Sequence, residues 1–486
     1  VNSNKGSDTG LNYLGGLVGE LGKAGKNAQA VYLKVSNSDV NVSNPQVTDD
    51  STNGFGGIVG VLANGSILKT ENTVKITASG INRGGGIAGY AEKSVIDLSG
   101  TTDLSGVVYN GGSGKNANTG WLVRQQDCAL IYAEGDGNGN GWSYIRGKEN
   151  TSGKTAMNDI GNYGQIIRLH SKDGTSESEQ SKLASDLISI DENHNVQYRS
   201  GTEVSISGDE ITVDSENSFA RLSIAWNTRG YFGGVEGIKS SDFFSTGNPR
   251  SKNITLNGDI DLTGSGITGL SRDTYSDEDT YIGIFDGNGK KITLSIGETF
   301  GYKNSTELAE TSDDAQGKVI SAAADKHGRQ GLFAKVSGAT LKNLTIAGNI
   351  NISNGGAADI LVGGIAGELA DAKSCQISGV AVEEMITADC SNSATNTGIM
   401  AGGFFGGVYN NDASLILGTS GDASTLNTAA AKISLKNFAD KTVETRINAG
   451  GVIGEVGESD FTFKANCLKV QGFITTEAKK KAYVGG

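Results

Sequence analysis

Proline is nearly absent: the chain of 486 residues holds two, against 73 glycines. A residue without an N–H cannot donate to a strand ladder, so this scarcity suits a chain made mostly of ladder and tight turn. Histidine is almost as scarce. His170, His194 and His327 lie far apart, and none belongs to a His-Glu-x-x-His zinc-protease helix. The four cysteines, Cys128, Cys375, Cys390 and Cys467, have no metal spacing, and three sit in strand-like surroundings. They read as buried free thiols filling inward slots in preference to a disulfide framework. No cysteine has a histidine close in sequence and no Gly-x-Ser-x-Gly elbow occurs, so the usual nucleophile signatures are missing.

Long apolar runs are also missing. Nothing approaches the roughly 20 apolar residues that span a bilayer, and no charged start leads into a signal-peptide core. The chain reads as an internal piece of something longer. Basic charge is in deficit, with 41 Lys and Arg against 54 Asp and Glu, a formal charge of −13. That balance argues against nucleic acid and anionic membrane as partners, both of which are bound through basic patches. The one basic run, Lys479-Lys480-Lys481, is too short to change this.

What is abundant is glycine, and it recurs in a cassette. Tyr13-Leu14-Gly15-Gly16-Leu17-Val18-Gly19 returns as Phe55-Gly56-Gly57-Ile58-Val59-Gly60, Gly85-Gly86-Ile87-Ala88-Gly89, Val362-Gly363-Gly364-Ile365-Ala366-Gly367, Ala401-Gly402-Gly403-Phe404-Phe405-Gly406 and Ala449-Gly450-Gly451-Val452-Ile453-Gly454. Looser copies are Tyr281-Ile282-Gly283-Ile284-Phe285 and Gln330-Gly331-Leu332-Phe333, and the chain stops inside another at Tyr483-Val484-Gly485-Gly486. Neighbouring Gly-Gly pairs lie 41, 29, 39 and 48 residues apart, one turn of a solenoid plus loops of varying length. Between cassettes come paired runs that alternate with period two: Val31–Val35 and Val40–Val42, Ser66–Lys69 and Val74–Ile76, Leu341–Ile346 and Asn349–Ile352. Three short strands per repeat predict a coil of three faces. The glycines are expected where the chain turns with positive φ or where backbones approach closely, so that one aliphatic pair per coil stacks on the next.

The expected fold is all-β: a right-handed parallel β-helix, or solenoid, in two segments, with a mixed connector and a short capping helix between them. Residues 1–134 hold the first coils, the last marked by Thr119-Gly120-Trp121-Leu122-Val123, where one glycine is lost. Residues 135–214 form the connector, with a helix expected from Ser176 through Ile190 on the capping-box spacing of Ser176 and Glu179. A second helix is expected over residues 215–230. It has Ser215 as N-cap, Glu216 in the first turn, and Phe219, Leu222, Ala225 and Trp226 on one face. Such a helix covers an open solenoid end, which otherwise exposes strand edges and an apolar cross-section. Residues 231–486 form the second β-helix, interrupted by an insertion at 297–327.

At the start of that second segment a helix, an Asp259-Ile260-Asp261-Leu262 strand, an Asp286-Gly287-Asn288-Gly289-Lys290 turn and the glycine cassettes follow one another. This succession resembles the GLUG-repeat β-helix modules of bacterial surface proteins, found in giant adhesins and beside the catalytic domain of immunoglobulin A proteases. The resemblance covers most of 1–134 and 215–486 and implies secreted or cell-surface placement and a non-catalytic stalk or binding role. The two ends match with a shift of 470 residues, from Tyr13 to Tyr483, as one period of a tandem array would.

Candidate chemistry is thin. Asp259 and Asp261, two apart and on one face at roughly 7 Å, are the place to look for a polysaccharide lyase or glycosidase. No histidine or arginine cluster accompanies them, which favours strand-end aspartates. Asp136, Asn138 and Asn140 before Gly141 match the first half of a calcium loop, but position twelve is Gly147 where a bidentate Glu belongs. No cofactor is expected, with calcium the one weak candidate. Threonines do not align in ladders, which sets ice binding aside. The leading reading is a structural and adhesive module of a large secreted or cell-surface bacterial protein, a rigid rod or fibre segment displaying loops at 106–119, 135–162 and 297–327. Its partners would be adjacent modules of the same chain, host or matrix glycans or proteins, or like rods side by side, with no nucleic acid and no direct membrane insertion. The alternative is a carbohydrate-active or glycan-binding β-helix.

Overall fold

The computed structural model describes residues 13–22, 30–43, 54–63, 65–81, 84–92, 94–98, 101–109, 119–120, 123–134, 148–149, 162–169, 188–190, 196–198, 204–227, 251–263, 269–270, 280–300, 328–354, 359–370, 374–389, 398–409, 413–437, 446–457, 460–478 and 481–485. Among the described residues it is β apart from one α-helix, α1 (Glu216–Asn227), and short 3₁₀ geometry as at Ala423–Thr425.

In the second part, short strands entering each cassette stack in one parallel sheet: Gly328–Gln330, Ile360–Gly363, Ile399–Gly402, Arg446–Gly450 and Lys481–Gly485. Strands leaving it stack in a second: Thr280–Tyr281, Phe333–Val336, Ala366–Leu369, Phe405–Val408 and Ile453–Val456. The remainder of each repeat joins a third sheet of fourteen strands. Every parallel pairing joins a strand to its counterpart one repeat later, so like residues meet like. Ile296, Ile350, Ile386, Ile433 and Ile474 form one such file, the first four buried. The strand Lys432–Asn437 shows the cause, since its residues alternate exposed and buried and send Ile433 and Leu435 inward. Each inward aliphatic contributes about 1.5–3 kcal/mol relative to exposure.

The first part has two parallel sheets in place of three: four cassette strands (Tyr13–Gly15, Gly54–Gly56, Gly84–Gly85, Thr119–Gly120) and a sheet of ten. The degenerate cassette keeps register, with Gly120 opposite Gly85 and Val123 opposite Ala88. Strand stacking runs past residue 134, because Asn162–Leu169 pairs in parallel with Val123–Glu134.

Three expectations need correction. The paired runs are single long strands, Tyr32–Ser43, Ile67–Ile81 and Thr340–Asn354. They bend without breaking at left-handed residues, Asn37 (φ 48°), Asn72 (φ 53°) and Asn343 (φ 53°), because asparagine tolerates that region better than other side chains. The helix expected to end at Ile190 does not do so: Ile188–Ile190 is a strand, antiparallel to Val196–Tyr198, and 176–187 lie outside the described residues. Its β-branched alternation outweighed the capping signal upstream. Finally, Tyr281-Ile282-Gly283 is no cassette. Tyr281 lies opposite Val336 at the end of an exit strand, and the true counterpart is Gly269-Leu270, where the Leu270 N–H donates to the Leu332 carbonyl at 2.8 Å.

Helix α1 forms where expected. Ser218 N donates to Ser215 Oγ at 3.3 Å and Ser215 N donates to Ser218 Oγ at 3.0 Å, a reciprocal cap with serine in the place glutamate usually takes. Phe219, Leu222, Ala225 and Trp226 are buried, as are Ala220, Ser223 and Ile224. Trp226 meets Tyr281 at 5.9 Å, Tyr281 stacks on Phe333 at 4.6 Å, and Phe333 meets Phe285 edge-on at 5.7 Å. The helix therefore continues the apolar interior of the second part by an aromatic chain. Ile67 and Val95 of the first part belong to this same buried cluster.

Candidate functional site

The cassette is a corner between an entry and an exit strand, and its backbone continues the ladder around the bend. Gly57 N donates to Gly85 O at 3.1 Å, and Gly364 N to Gly403 O at 3.1 Å. The apolar residue after the glycines offers one carbonyl to two donors of the preceding repeat. Ile87 O accepts from Ile58 N and Val59 N (2.9 and 3.0 Å), Phe404 O from Ile365 N and Ala366 N (3.0 and 3.1 Å), and Val452 O from Phe404 N and Phe405 N (2.9 and 3.0 Å). These corner N–H groups are paired within the stack, which is what permits a bend inside a core.

The glycines serve close approach and not left-handed geometry: Gly15, Gly16, Gly56, Gly57, Gly363, Gly364, Gly402, Gly403 and Gly450 all lie outside the positive-φ region. Each of the three slots has its own obstacle. A Cβ on the first, at Gly15, Gly56, Gly402 or Gly450, would sit 1.7, 1.8, 2.1 or 2.0 Å from the carbonyl oxygen three residues on. On the second, at Gly16, Gly57 or Gly403, it would sit 2.1, 2.0 or 2.3 Å from the carbonyl oxygen of the second glycine one repeat later. On the third, at Gly367, Gly406 or Gly454, it would sit 2.6, 2.3 or 2.5 Å from a backbone nitrogen of the preceding entry strand. Gly19, in the first repeat, meets nothing within 4 Å. Gly60, Gly85, Gly86, Gly89 and Gly451 occupy the corresponding sequence slots.

Beside the corner, entry and exit strands bring charges together. Arg329 Nε donates to Glu368 Oε2, and Lys335 Nζ lies 3.6 Å from Glu368 Oε1; the Arg329, Lys335 and Glu368 side chains are 8%, 6% and 3% exposed. Three entry strands after Arg329, Arg446 lies between Asp359 (3.5 Å) and Glu455 (3.2 Å), and Asn448 donates to Glu455 at 2.7 Å. Burial, with the Glu455 carboxylate nearby, pushes the Tyr409 hydroxyl well above the ordinary tyrosine value. Glu368 thus staples its repeat to the preceding one, while Arg446 ties its own repeat together through Glu455 and reaches across the strand Ile399–Gly402 to Asp359.

Asp259 and Asp261 are exposed and occupied with backbone: Asp259 Oδ1 accepts from Lys291 N (2.9 Å) and Asp261 Oδ1 from Thr263 N (2.9 Å). Asp286 caps its own turn, accepting from Asn288 N at 2.8 Å, and pairs with Lys342 at 3.0 Å. Burial alone would raise its carboxyl, but these donors outweigh it and hold the group below the usual range. Asp136, Asn138, Asn140, Cys390 and the three histidines lie outside the described residues. Among the described residues no group of three or more His, Cys, Asp or Glu could hold a metal ion, and no helix is long and apolar enough to cross a membrane. Cys375 is a buried free thiol, whereas Cys467 is half-buried in a bend, its Sγ donating to Thr419 O and Asp422 O.

Besides the buried Arg329, Lys335 and Glu368, sequence reading missed the buried polar residues Asn427 and Glu384. Asn427 replaces backbone where a loop interrupts the stack, accepting from Val380 N (2.9 Å) and donating to Ile377 O (3.0 Å). Glu384 is fully buried between strands Ser374–Val382 and Met385–Asp389. Its neighbour Glu383 is exposed, so nothing in the pair itself tells which one turns inward.

No protein-family model, curated protein or solved structure matches this chain.

Proposed function

We propose that this chain is a non-catalytic structural and adhesive module: a right-handed parallel β-helix in two stretches, 1–134 with a further layer at Asn162–Leu169, and 231–486, joined through a connector within 135–214, whose strand Glu210–Val213 pairs onto the second stretch, and a capping helix at 215–230. In this reading it is a rigid rod segment of a large bacterial protein, secreted or held at the cell surface. The observation that carries the reading is the cassette register, in which corner stacks on corner through hydrogen bonds and glycine contacts from repeat to repeat. Stability then adds repeat by repeat, and stiffness comes from continuous ladders. Loops leaving the rod are free to vary and carry the contacts to glycans, matrix proteins or like rods. Asp259 and Asp261 support this reading as strand-end caps, since each already accepts a backbone N–H.

The test is incubation with a panel of uronic-acid and neutral polysaccharides. The expected result is retention on some of these surfaces with no new reducing or unsaturated ends. Release of such ends, abolished by Asp259→Asn or Asp261→Asn, would replace the reading with an enzyme.

A further inference from the structure

Glu384 stands apart from every other acidic side chain described. It is 0% exposed, and neither carboxyl oxygen has a hydrogen-bond partner among the described residues. Its Oε2 reaches under the cassette corner, where a Cβ on Gly364 would lie 2.6 Å from it. The register shows why the side chain fits. Val382 lies opposite Ile346 and Ala429, and Met385 opposite Asn349 and Lys432, so Glu384 falls between Gly348 and Ala431 in the neighbouring repeats. Two small residues make the space that one long side chain fills.

The groups around it carry no balancing charge. The corner above offers Gly364 and Ile365; Glu383, Asp389 and Lys432 on the adjoining strands are exposed and point away; Gly348 and Ala431 are the neighbours along the stack. A bare carboxylate in such a place costs several kcal/mol, and the group avoids that by keeping its proton.

We infer that Glu384 is a proton-dependent keystone: the repeat closes around it when its carboxyl is protonated, and the stack loosens there as the proton is withdrawn. Burial raises this carboxyl well above the ordinary glutamate value, in the direction the geometry requires. The sign follows. A group that binds its proton more tightly folded than unfolded favours the fold fully below the unfolded value of about 4.3, and that support drains away as pH rises toward the folded value. Acid therefore tightens this repeat and alkali weakens it.

The experiment compares the intact chain with Glu384→Gln by equilibrium urea unfolding from pH 5.5 to 8.5. All other titrations are shared, so the ratio of the two folding constants reads this site alone. The expected ratio rises with pH in favour of the glutamine variant, by at most about tenfold per pH unit, and levels off once pH passes the folded value, as loss of one proton on unfolding requires. A ratio independent of pH would overturn the inference, because Glu384 would then be ionised alike in both states. Should Glu384→Gln fail to fold, Glu384→Ala carries the same comparison, since the register already holds glycine and alanine on either side.

Discussion

Ile365 donates its backbone N–H to the carbonyl of Phe404, one repeat later, at 3.0 Å, and Phe404 in turn donates to Val452 at 2.9 Å. Both side chains are fully buried, and Val452 packs half-buried against the same core. The cassette thus does two jobs at once, closing the ladder at a bend and seating an apolar side chain beneath it.

Gly403→Ala should be among the most damaging single changes available to the chain. Its Cβ would lie 2.3 Å from the Gly451 carbonyl, and backbone on both sides resists moving. We expect a loss of about 3 kcal/mol or more, read by urea unfolding. Gly19→Ala is the control; it meets nothing within 4 Å and should stay within about 0.5 kcal/mol of the parent.

Asn427→Ala should lose about 1–3 kcal/mol, because it strands the Val380 N–H in the interior, while the Ile377 carbonyl keeps the Gly418 N–H at 2.7 Å. Hydrogen exchange at Val380 checks the cause. Its amide should exchange sooner relative to that of Ile433 in the variant than in the parent.

Glu368→Gln tests the buried ion pairs. Arg329 and Lys335 keep further contacts but lose the one carboxylate they share. Breaking a buried pair from one side commonly costs 3–5 kcal/mol, and about 3 is expected here. A change below about 0.5 kcal/mol would mean that water or other acceptors already serve both cations.

Cys375 should be chemically silent in the folded chain, since burial pushes its thiol up to about 12. At pH 8 an aromatic disulfide reagent should leave it unmodified until denaturant is added. Mass spectrometry of the cysteine-containing peptides distinguishes it from the half-buried Cys467.

Much of the stacking was legible in the sequence because it rests on a repeated local need. Gly-Gly followed by an apolar residue marks the corner, and period-two alternation, as in Lys432–Asn437, marks the long sheet. Helix α1 was legible for the same reason, since Ser215 and the apolar spacing are local signals. What escaped depends on partners remote in sequence. The bend at Asn343 looks like a strand break until its opposite number, Gly379 with φ 65°, is seen in register. The extra layer at Asn162–Leu169 has no cassette before it, only a pairing. Glu384 and Asn427 are read as surface residues by any composition rule, and only the register shows that they turn inward.

The most direct test of stacking is a set of dipolar EPR distances along one outward file. Ser295, Asn349, Met385, Lys432 and Phe473 stand opposite one another in successive strands. With one nitroxide at Ser295 and the second moved along the file, the separation should grow in equal steps of about 4.8 Å, reaching roughly 19 Å at Phe473. Separations that scatter, or that track the number of intervening residues in place of the number of strands, would contradict the account.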